Sequence, residues 1–159
     1  MENQALKELI KQGFAAMKAG SKVAAEATDE IQNDAKNPEL KSALKEGNEQ
    51  SKVWVQRIDR GLQEAGGNAD QDNEILKANY SVSQKIRQQA KDDDTRDLGI
   101  IASGQLAIHY WIAAFGTQAS YAAAAGLNQA EQEMKACLDE AKKADEKHTQ
   151  IAKSILSAQ

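Results

Sequence analysis

The sequence predicts an all-α protein, an antiparallel bundle of four long helices with one additional shorter helix. Ala, Lys, Glu, Gln and Asp dominate the composition, and proline occurs once, which favours long helices. Strand signals are close to absent, because no run of β-branched residues alternates with polar ones. The 159 residues fit one domain with a modest core, so residues 1–159 are expected to form a single bundle domain.

The first two helices have clear sequence boundaries. The first is predicted from about Asn3 to about Lys36, and the motif "NPE" at residues 37–39 signals the next start. Asn caps a helix, Pro fits its first turn, and Glu meets the positive end of the helix dipole. The second helix continues to about Ala65, and one glycine of the Gly-Gly pair at 66–67 is expected to be left-handed. The apolar stripe of the first helix consists of Leu6, Ile10, Phe14 and Met17.

The third helix is predicted from about Asp70 to about Ala90. The run "KDDDT" at residues 91–95 is predicted to be a loop that ends in a helix cap. The fourth helix then spans about Thr95 to Ala125, and its inward positions keep a spacing of three and four residues. They are Leu98, Ile101, Gln105, Ile108, Ile112, Phe115, Ala119 and Ala122.

Gly126 is predicted to end the fourth helix, and Asn128 is predicted to cap the fifth, which continues to about Leu156. The inward stripe of the fifth helix is Met134, Cys137, Ala141, Ala144, His148, Ile151 and Ile155. Connections are short except around the third helix. This pattern predicts an antiparallel bundle in which the third helix serves the crossover between the second and the fourth.

Charge and hydropathy argue against two classes of function, nucleic-acid binding and membrane association. The net charge is −4, and basic residues alternate with acidic ones, whereas nucleic-acid binding needs clustered Lys and Arg. The start "MENQALKELIKQGF" is charged where a signal peptide needs an apolar core. No segment has about 18 unbroken apolar residues, and the amphipathic helices carry mixed charges. We therefore expect a cytoplasmic protein with no nucleic-acid partner and no membrane partner.

Two histidines are the first candidates for chemistry. His109 lies in the most apolar stretch, "LAIHYWIAAFGT", and His148 lies on the inward stripe of the fifth helix. His109 is expected to be a partly buried imidazole that hydrogen-bonds to another helix or to the backbone one turn back, and His148 is expected to be a satisfied core group. If both converged, they could hold a transition metal with Glu49 or Asp145. Metal centres in bundles use Glu-x-x-His pairs, and the only carboxylate-x-x-His in this chain runs from Asp145 to His148.

The other candidates favour structure over chemistry. Trp54 and Trp111 are expected to pack in the interior or in a dimer face rather than to stack on a ligand. Cys137 lies on an apolar stripe, so an inert thiol is expected. The acidic run at residues 92–94 lacks the ligand spacing of a calcium loop, and no Lys-Ser/Thr follows the glycines at 66–67 as in a phosphate loop. No catalytic residue is predicted.

Four segments carry a family resemblance. They are "RDLGIIASGQLAIHYWIAAFGTQASYAAAAGLNQA", "CLDEAKKADEKHTQIA", "NPELKSAL" and "VQRIDRGLQ". Together they resemble the YciE/YciF family of ferritin-like bacterial stress proteins over most of the chain from Asn37 onward. The resemblance implies a ferritin-like bundle, a dimer, and a family whose members carry a di-iron carboxylate site.

The resemblance also implies that this chain has lost most of the family's metal ligands. Where the second helix of the family carries Glu-x-x-His, this chain has Glu49 and Lys52, and an ammonium group cannot ligate a metal. Where the fourth helix of the family reads Glu-His-Tyr-Glu, this chain reads "IHYW" at residues 108–111. The fifth-helix glutamate of the family falls at Ala141, and the first-helix glutamate is absent.

The resemblance thus implies a degenerate metal site, and no metal or other cofactor is expected. The residual candidates for metal ligands are Glu49, His109, Asp145 and His148. Glu49 is expected to pair with Lys52 near the core at little net gain in stability. Three apolar side chains are expected to fill the former metal cavity, namely Ile108, Trp111 and Ala141.

The leading expectation for function is a non-enzymatic, stress-associated ferritin-like scaffold or interaction module that forms a homodimer, with its protein partner unknown. The alternative is an iron-binding protein or di-metal oxidoreductase of the ferritin-like class with a non-standard site. A third possibility is a small-molecule binder whose pocket occupies the vacated metal cavity. The small number of carboxylates expected to point into the bundle favours the scaffold hypothesis.

Overall fold

The computed structural model describes residues 3–159, which form five α-helices and contain no strand. The helices are α1 (Asn3–Asp34), α2 (Pro38–Glu64), α3 (Glu74–Gln89), α4 (Asp93–Ala125) and α5 (Asn128–Ser157). The four long helices have 27 to 33 residues, whereas α3 has 16. The predicted all-α class, with four long helices and one shorter one, is confirmed.

The long helices form one bundle, and α3 packs on its side against α4 and α1. α4 lies along α5, and α2 lies between α1 and α5. Three ion pairs show that α2 and α5 run in opposite directions, because the paired residues rise in number along α2 and fall in number along α5. These pairs are Glu46–Lys147, Arg57–Glu140 and Arg60–Glu133. The helices are therefore antiparallel, with α3 serving the crossover as predicted.

The predicted boundaries between α1 and α2 and after α4 are confirmed. The side chain of Asn37 accepts hydrogen bonds from the backbone N–H groups of Glu39 and Leu40, at 2.9 and 3.1 Å. The buried carboxylate of Asp97 accepts from the N–H groups of Lys36 and Asn37 and fixes the turn from the α4 side. Gly126 ends α4 with a left-handed φ of 73°.

The start of α3 lies later than predicted. α3 begins at Glu74 rather than at Asp70, because the buried side chain of Asn73 caps it by accepting from the N–H of Leu76. The amide of Asn73 also donates to the carbonyl of Ala16 at 2.9 Å. The cap therefore ties α3 to α1 as well as starting the helix.

Two further caps differ from the prediction. α4 is capped by Asp92 and not by Thr95, since the Asp92 carboxylate accepts from the Thr95 N–H at 2.7 Å. Asn128 is the first residue of α5 and supplies no capping side chain. The carboxylate of Glu64, at the end of α2, instead accepts from the Ala130 N–H at 2.6 Å. An acidic group from a neighbouring helix thus serves the positive end of α5.

The buried core forms two clusters at different levels of the bundle. The larger contains Phe14, Trp54, Trp111 and Phe115 among its members, and the smaller is built around Leu40, Ile100 and Ile151. The prediction for α4 was wrong in part, because Leu98, Gln105, Ile108 and Ile112 are only half-buried. Because α4 contacts three other helices, its buried arc is wider than one stripe. This arc also includes Ile100, Ala107 and Trp111.

One buried cation attaches α3 to the bundle. The side chain of Arg87 is 4% exposed and contacts the carboxylates of Glu30 and Asp34 on α1, at 3.0 and 2.8 Å. It also donates to the hydroxyl of Ser83, which lies 3.1 Å from the hydroxyl of Ser103 on α4. A polar network therefore joins α1, α3 and α4.

α4 exposes an uncharged face. No Asp, Glu, Lys or Arg occurs between Asp97 and the end of the helix. By length and composition alone α4 could cross a membrane, a test that the core helix of a soluble protein also passes, and 33% of its most apolar window is buried in the bundle. Seven exposed positions lie along one stripe of the helix, which we call the outer face of α4. They are Ala102, Leu106, His109, Ala113, Thr117, Ser120 and Ala124.

Cys137 lies in the larger core cluster, as an inert thiol would. Its Sγ lies 3.7 Å from a guanidinium nitrogen of Arg57, a basic neighbour on another helix that the stripe of α5 does not reveal. Burial nevertheless dominates and raises the pKa of the Cys137 thiol to about 11. The thiolate is therefore scarce at neutral pH.

We predict that the native thiol resists modification. At about pH 8 the folded protein should react with Ellman's reagent about 100-fold more slowly than the urea-unfolded protein, because thiolate fraction and access are both low. Equal rates in the two states would contradict the buried position of Cys137.

A pair of glycine substitutions tests the packing of α1 on α2. A Cβ at Gly61 would lie 2.4 Å from the ring of the fully buried Phe14, whereas a Cβ at Gly47 would meet no atom within 4 Å. Gly61→Ala should lower the free energy of unfolding by about 2 kcal/mol through overpacking. Gly47→Ala should raise it by about 0.5–1 kcal/mol through helix propensity. Urea denaturation measures both, and equal effects would contradict this packing.

Candidate functional site

A cavity of about 540 Å³ lies in the middle of the bundle, and all five helices contribute to its wall. Its lining includes members of both core clusters, Trp54 and Trp111 from the larger and Ala43 and Ile100 from the smaller. The cavity therefore separates the two clusters. It is the principal concave site of the described residues, with a volume in the range of small-molecule pockets.

The cavity exists because small residues occupy the middle turns of four helices. Helices in bundles pack about 8–10 Å apart, and side chains of this size cannot fill the space between four of them. The small lining residues are Ala24 and Ala25 on α1, Gly47 and Ser51 on α2, Ser103, Gly104 and Ala107 on α4, and Ala144 on α5.

An aromatic cluster forms one end of the cavity. The rings of Trp54 and Trp111 lie 6.1 Å apart, and Trp111 stacks on Phe115 at 5.3 Å. The indole N–H of Trp54 donates to the carboxylate of Glu140 at 2.8 Å, and Arg57 contacts the same oxygen at 2.7 Å. Both tryptophans pack as predicted, and each also presents surface to the cavity. Their rings are fixed by packing and by hydrogen bonding.

His148 and Tyr80 each present to the cavity a polar atom that has no hydrogen-bond partner within residues 3–159. His148 is 8% exposed, and its Nδ1 lies 2.8 Å from the carbonyl oxygen of Ala144. A carbonyl only accepts, so Nδ1 carries the proton and Nε2 is left without a hydrogen bond. The hydroxyl of Tyr80 also has no partner there, and burial raises the pKa of Tyr80 to about 12. The cavity wall is largely apolar, and the polar atoms of His148 and Tyr80 are two of its hydrogen-bonding positions.

Glu49 lies outside this cavity, on the outer surface of α2. Its side chain is 65% exposed and contacts the ammonium of Lys52 at 2.9 Å, which holds the pKa of the Glu49 carboxyl below its usual range. The expected pair forms, but at the surface rather than near the core. The residues of α2 that face the cavity are its neighbours, among them Gln50, Ser51 and Trp54.

His109 and Asp145 meet on the outside of the bundle. The Nε2 atom of His109 lies 3.0 Å from Asp145, and the His109 side chain is 63% exposed, so the expected partial burial is wrong. The amide of Gln105 donates to Asp145 and to the hydroxyl of Thr149. As expected, the His109 ring forms a hydrogen bond with a residue of another helix, Asp145 on α5. The ring points away from the cavity that His148 lines.

The sequence-predicted ligands therefore do not converge. Within residues 3–159, no three His, Cys, Asp or Glu side chains form a group that could hold a metal. The two acids in the cavity wall already have cationic partners, since Glu46 pairs with Lys147 and Glu140 pairs with Arg57. The residues present do not fit a di-iron centre, which needs several carboxylates directed at one point.

The expectation that apolar side chains fill the former cavity is only partly met. Trp111 and Ala141 are buried, and Ile108 packs partly buried against the larger cluster. The cavity persists because the ring of Trp111 stacks on Phe115 and the residues opposite it are small. The sequence suggested a small-molecule pocket only as a third possibility, and the signal that could have located the cavity is the run of small residues at matching levels of several helices.

Comparisons with known proteins give the family and the fold. The model of the family described as a domain of unknown function, DUF892, matches residues 5–159. The crystal structure of the Escherichia coli stress protein YciF is similar, with a TM-score of 0.92 and 20% identity over 97% of this chain and 98% of that chain. No curated protein sequence matches significantly.

A second solved structure has the same fold. YcfI of Rhodopseudomonas palustris, for which a structural role has been suggested, has a TM-score of 0.85 and 20% identity over 91% of this chain and 92% of that chain. The predicted resemblance to the YciF type of protein and the ferritin-like bundle are thereby confirmed. The chain belongs to the DUF892 family.

Proposed function

We propose that this protein is a non-enzymatic, stress-associated scaffold of the ferritin-like class that works without a metal centre. The observation that carries the proposal is the divergence of the candidate ligands. Glu49 and His109 lie on the surface, and His148 faces a cavity whose two acids are bound to cations. A stress-related role is supported by the similarity to YciF, and a structural role by the similarity to YcfI.

Electrostatics supports the same proposal. Two iron ions need anionic ligands that offset the loss of their hydration and that bridge the metals. The cavity lining carries three lysines, Lys52, Lys143 and Lys147, against the two glutamates. A cationic rim repels a metal cation rather than attracting it. We further propose a cytoplasmic location, as expected from the sequence.

The iron-binding alternative is tested by metal analysis. Protein purified without chelator should carry no stoichiometric iron or zinc, and its melting temperature should not change when Fe²⁺ is added. A ligand that binds only the folded state must raise stability. Elemental analysis and thermal unfolding monitored by circular dichroism give the two readouts.

The contradicting result is specific. The scaffold proposal would be overturned in favour of a non-standard metal site if the protein held stoichiometric metal that Glu49→Ala or His148→Ala removed. The control is Glu39→Ala, at an exposed position of the same helix as Glu49, which should retain that metal.

We also propose that the scaffold is a homodimer formed through the outer face of α4. An apolar helix face of this length is unusual on a monomer, and Leu106 on it is 64% exposed. A two-fold axis would pair two antiparallel copies of the same face, which is the commonest symmetry of protein oligomers. The uncharged side chains of this face carry no like charges that would oppose the pairing.

Substitution of Leu106 tests this dimer. In size-exclusion chromatography coupled to light scattering, the native protein should have a molar mass twice the 17.3 kDa of one chain. Leu106→Glu should weaken association at least about tenfold, because it places a charge in an interface that otherwise buries uncharged side chains. Leu156→Glu, at a leucine that is 58% exposed on α5, should leave the dimer intact. A monomeric native chain, or equal behaviour of the two variants, would contradict the proposal.

A further inference from the structure

We propose that the central cavity binds an amphipathic carboxylate, a small molecule with an apolar body and one anionic head. This inference goes beyond the scaffold role, because it assigns the cavity a ligand. The apolar body would occupy the interior of the bundle. The head would lie at the mouth, beside the lysines of α2 and α5.

The mouth of the cavity opens between α2 and α5. Only six lining residues are exposed, and five of them belong to these two helices. The six are Ala25, Glu46, Gly47, Lys52, Lys143 and Lys147. Two ion pairs mark the ends of the opening, Glu46–Lys147 at one end and Arg57–Glu140 at the other. Between them the helices present only short or half-buried side chains, apart from the lysines.

The charges at the mouth favour an anion. Lys147 and Lys52 each have a glutamate partner, whereas Lys143 makes no ion pair or hydrogen bond within the described part of the chain. Glu140 is bound by Arg57 and by the indole of Trp54, so it does not neutralise Lys143. Lys143 is therefore the cation available to a ligand head. The protein as a whole has a net charge of −4, so any preference for anions must come from these lysines.

The interior favours an apolar body. Its walls are formed by the rings of Trp54 and Trp111 and by the aliphatic side chains of Leu44, Ile100 and Ile108. Binding would remove apolar surface of both ligand and wall from water, which is the main source of affinity in pockets of this kind.

Two polar atoms inside the cavity provide hydrogen-bonding positions for a ligand or an ordered water. The Nε2 atom of His148, in a side chain more than nine-tenths buried, accepts no hydrogen bond from residues 3–159, and the Tyr80 hydroxyl donates none to them. They therefore give the cavity positions for a polar atom of the ligand as well as an apolar wall.

Decanoate is the probe for this site, since it combines a ten-carbon chain with a carboxylate. The only two tryptophans of the chain both line the cavity, so intrinsic fluorescence reports on it directly. Decanoate, titrated below its micelle concentration, should change this fluorescence and saturate at one molecule per chain in calorimetry. The neutral 1-decanol and the cationic decyltrimethylammonium should bind at least about fivefold more weakly, because they lack the anionic head.

Two matched pairs of variants test the head and body sites. Lys143→Glu should weaken decanoate binding at least about fivefold, whereas Lys142→Glu, the same change at the next residue outside the lining, should leave it unchanged. Ala144→Leu should abolish binding by filling the cavity, whereas Ala123→Leu on the exposed side of α4 should not. Circular dichroism and the melting temperature identify any variant that fails to fold.

Three results would overturn the proposal. They are no saturable change with decanoate, equal affinity for the three probes, and equal effects within either pair of folded variants. Because the metal analysis uses no fatty acid, a failure here leaves the scaffold proposal standing, and a bound metal would refute that proposal without deciding this one.

Discussion

A layer of small residues in the middle of the bundle determines the rest of this structure. Ser103 and Ala144 line the cavity from different helices and Gly47 lies at its mouth, and none of the three has a side chain long enough to fill the space. The core is consequently divided into a cluster below and a cluster above. Packing within the two clusters holds the helices at a fixed separation, and the space between them stays open. Helix packing distances vary little, so this space cannot be closed by simple approach of the helices.

Three acidic residues connect neighbouring segments of the bundle. Glu140 binds the guanidinium of Arg57 and the indole of Trp54, and Glu64 takes the place of a cap at the start of α5. Asp97 performs a similar task at the turn between α1 and α2. Each carboxylate is satisfied by donors from another helix. The same residue type that would gather cations in a di-iron protein here fixes the positions of neighbouring helices.

The sequence predicts helix number and order well, because caps such as Asn37 and stops such as Gly126 act on adjacent residues. It predicts less well which residues of α4 are buried, because the buried arc of that helix is wider than one stripe. Glu49 was expected near the core because the family resemblance places a metal ligand at that position, but its side chain is exposed. It did not reveal Arg57 beside Cys137 or Glu64 at α5, because both contacts join residues far apart in the chain. Helix periodicity alone could not locate the cavity, because the cavity volume depends on how several helices pack together.

The buried guanidinium of Arg87 has a consequence for the conformational freedom of α3. Sliding or rotating this helix would separate the buried guanidinium of Arg87 from the partly exposed carboxylates of Glu30 and Asp34 and leave a desolvated cation without its partners. Such a pair adds little net stability, but it selects one register among the many that a short amphipathic helix can adopt. The ion pairs of Arg87 therefore fix the position of α3 on the bundle, although they add little stability. As a result, Tyr80 on α3 stays at the cavity wall.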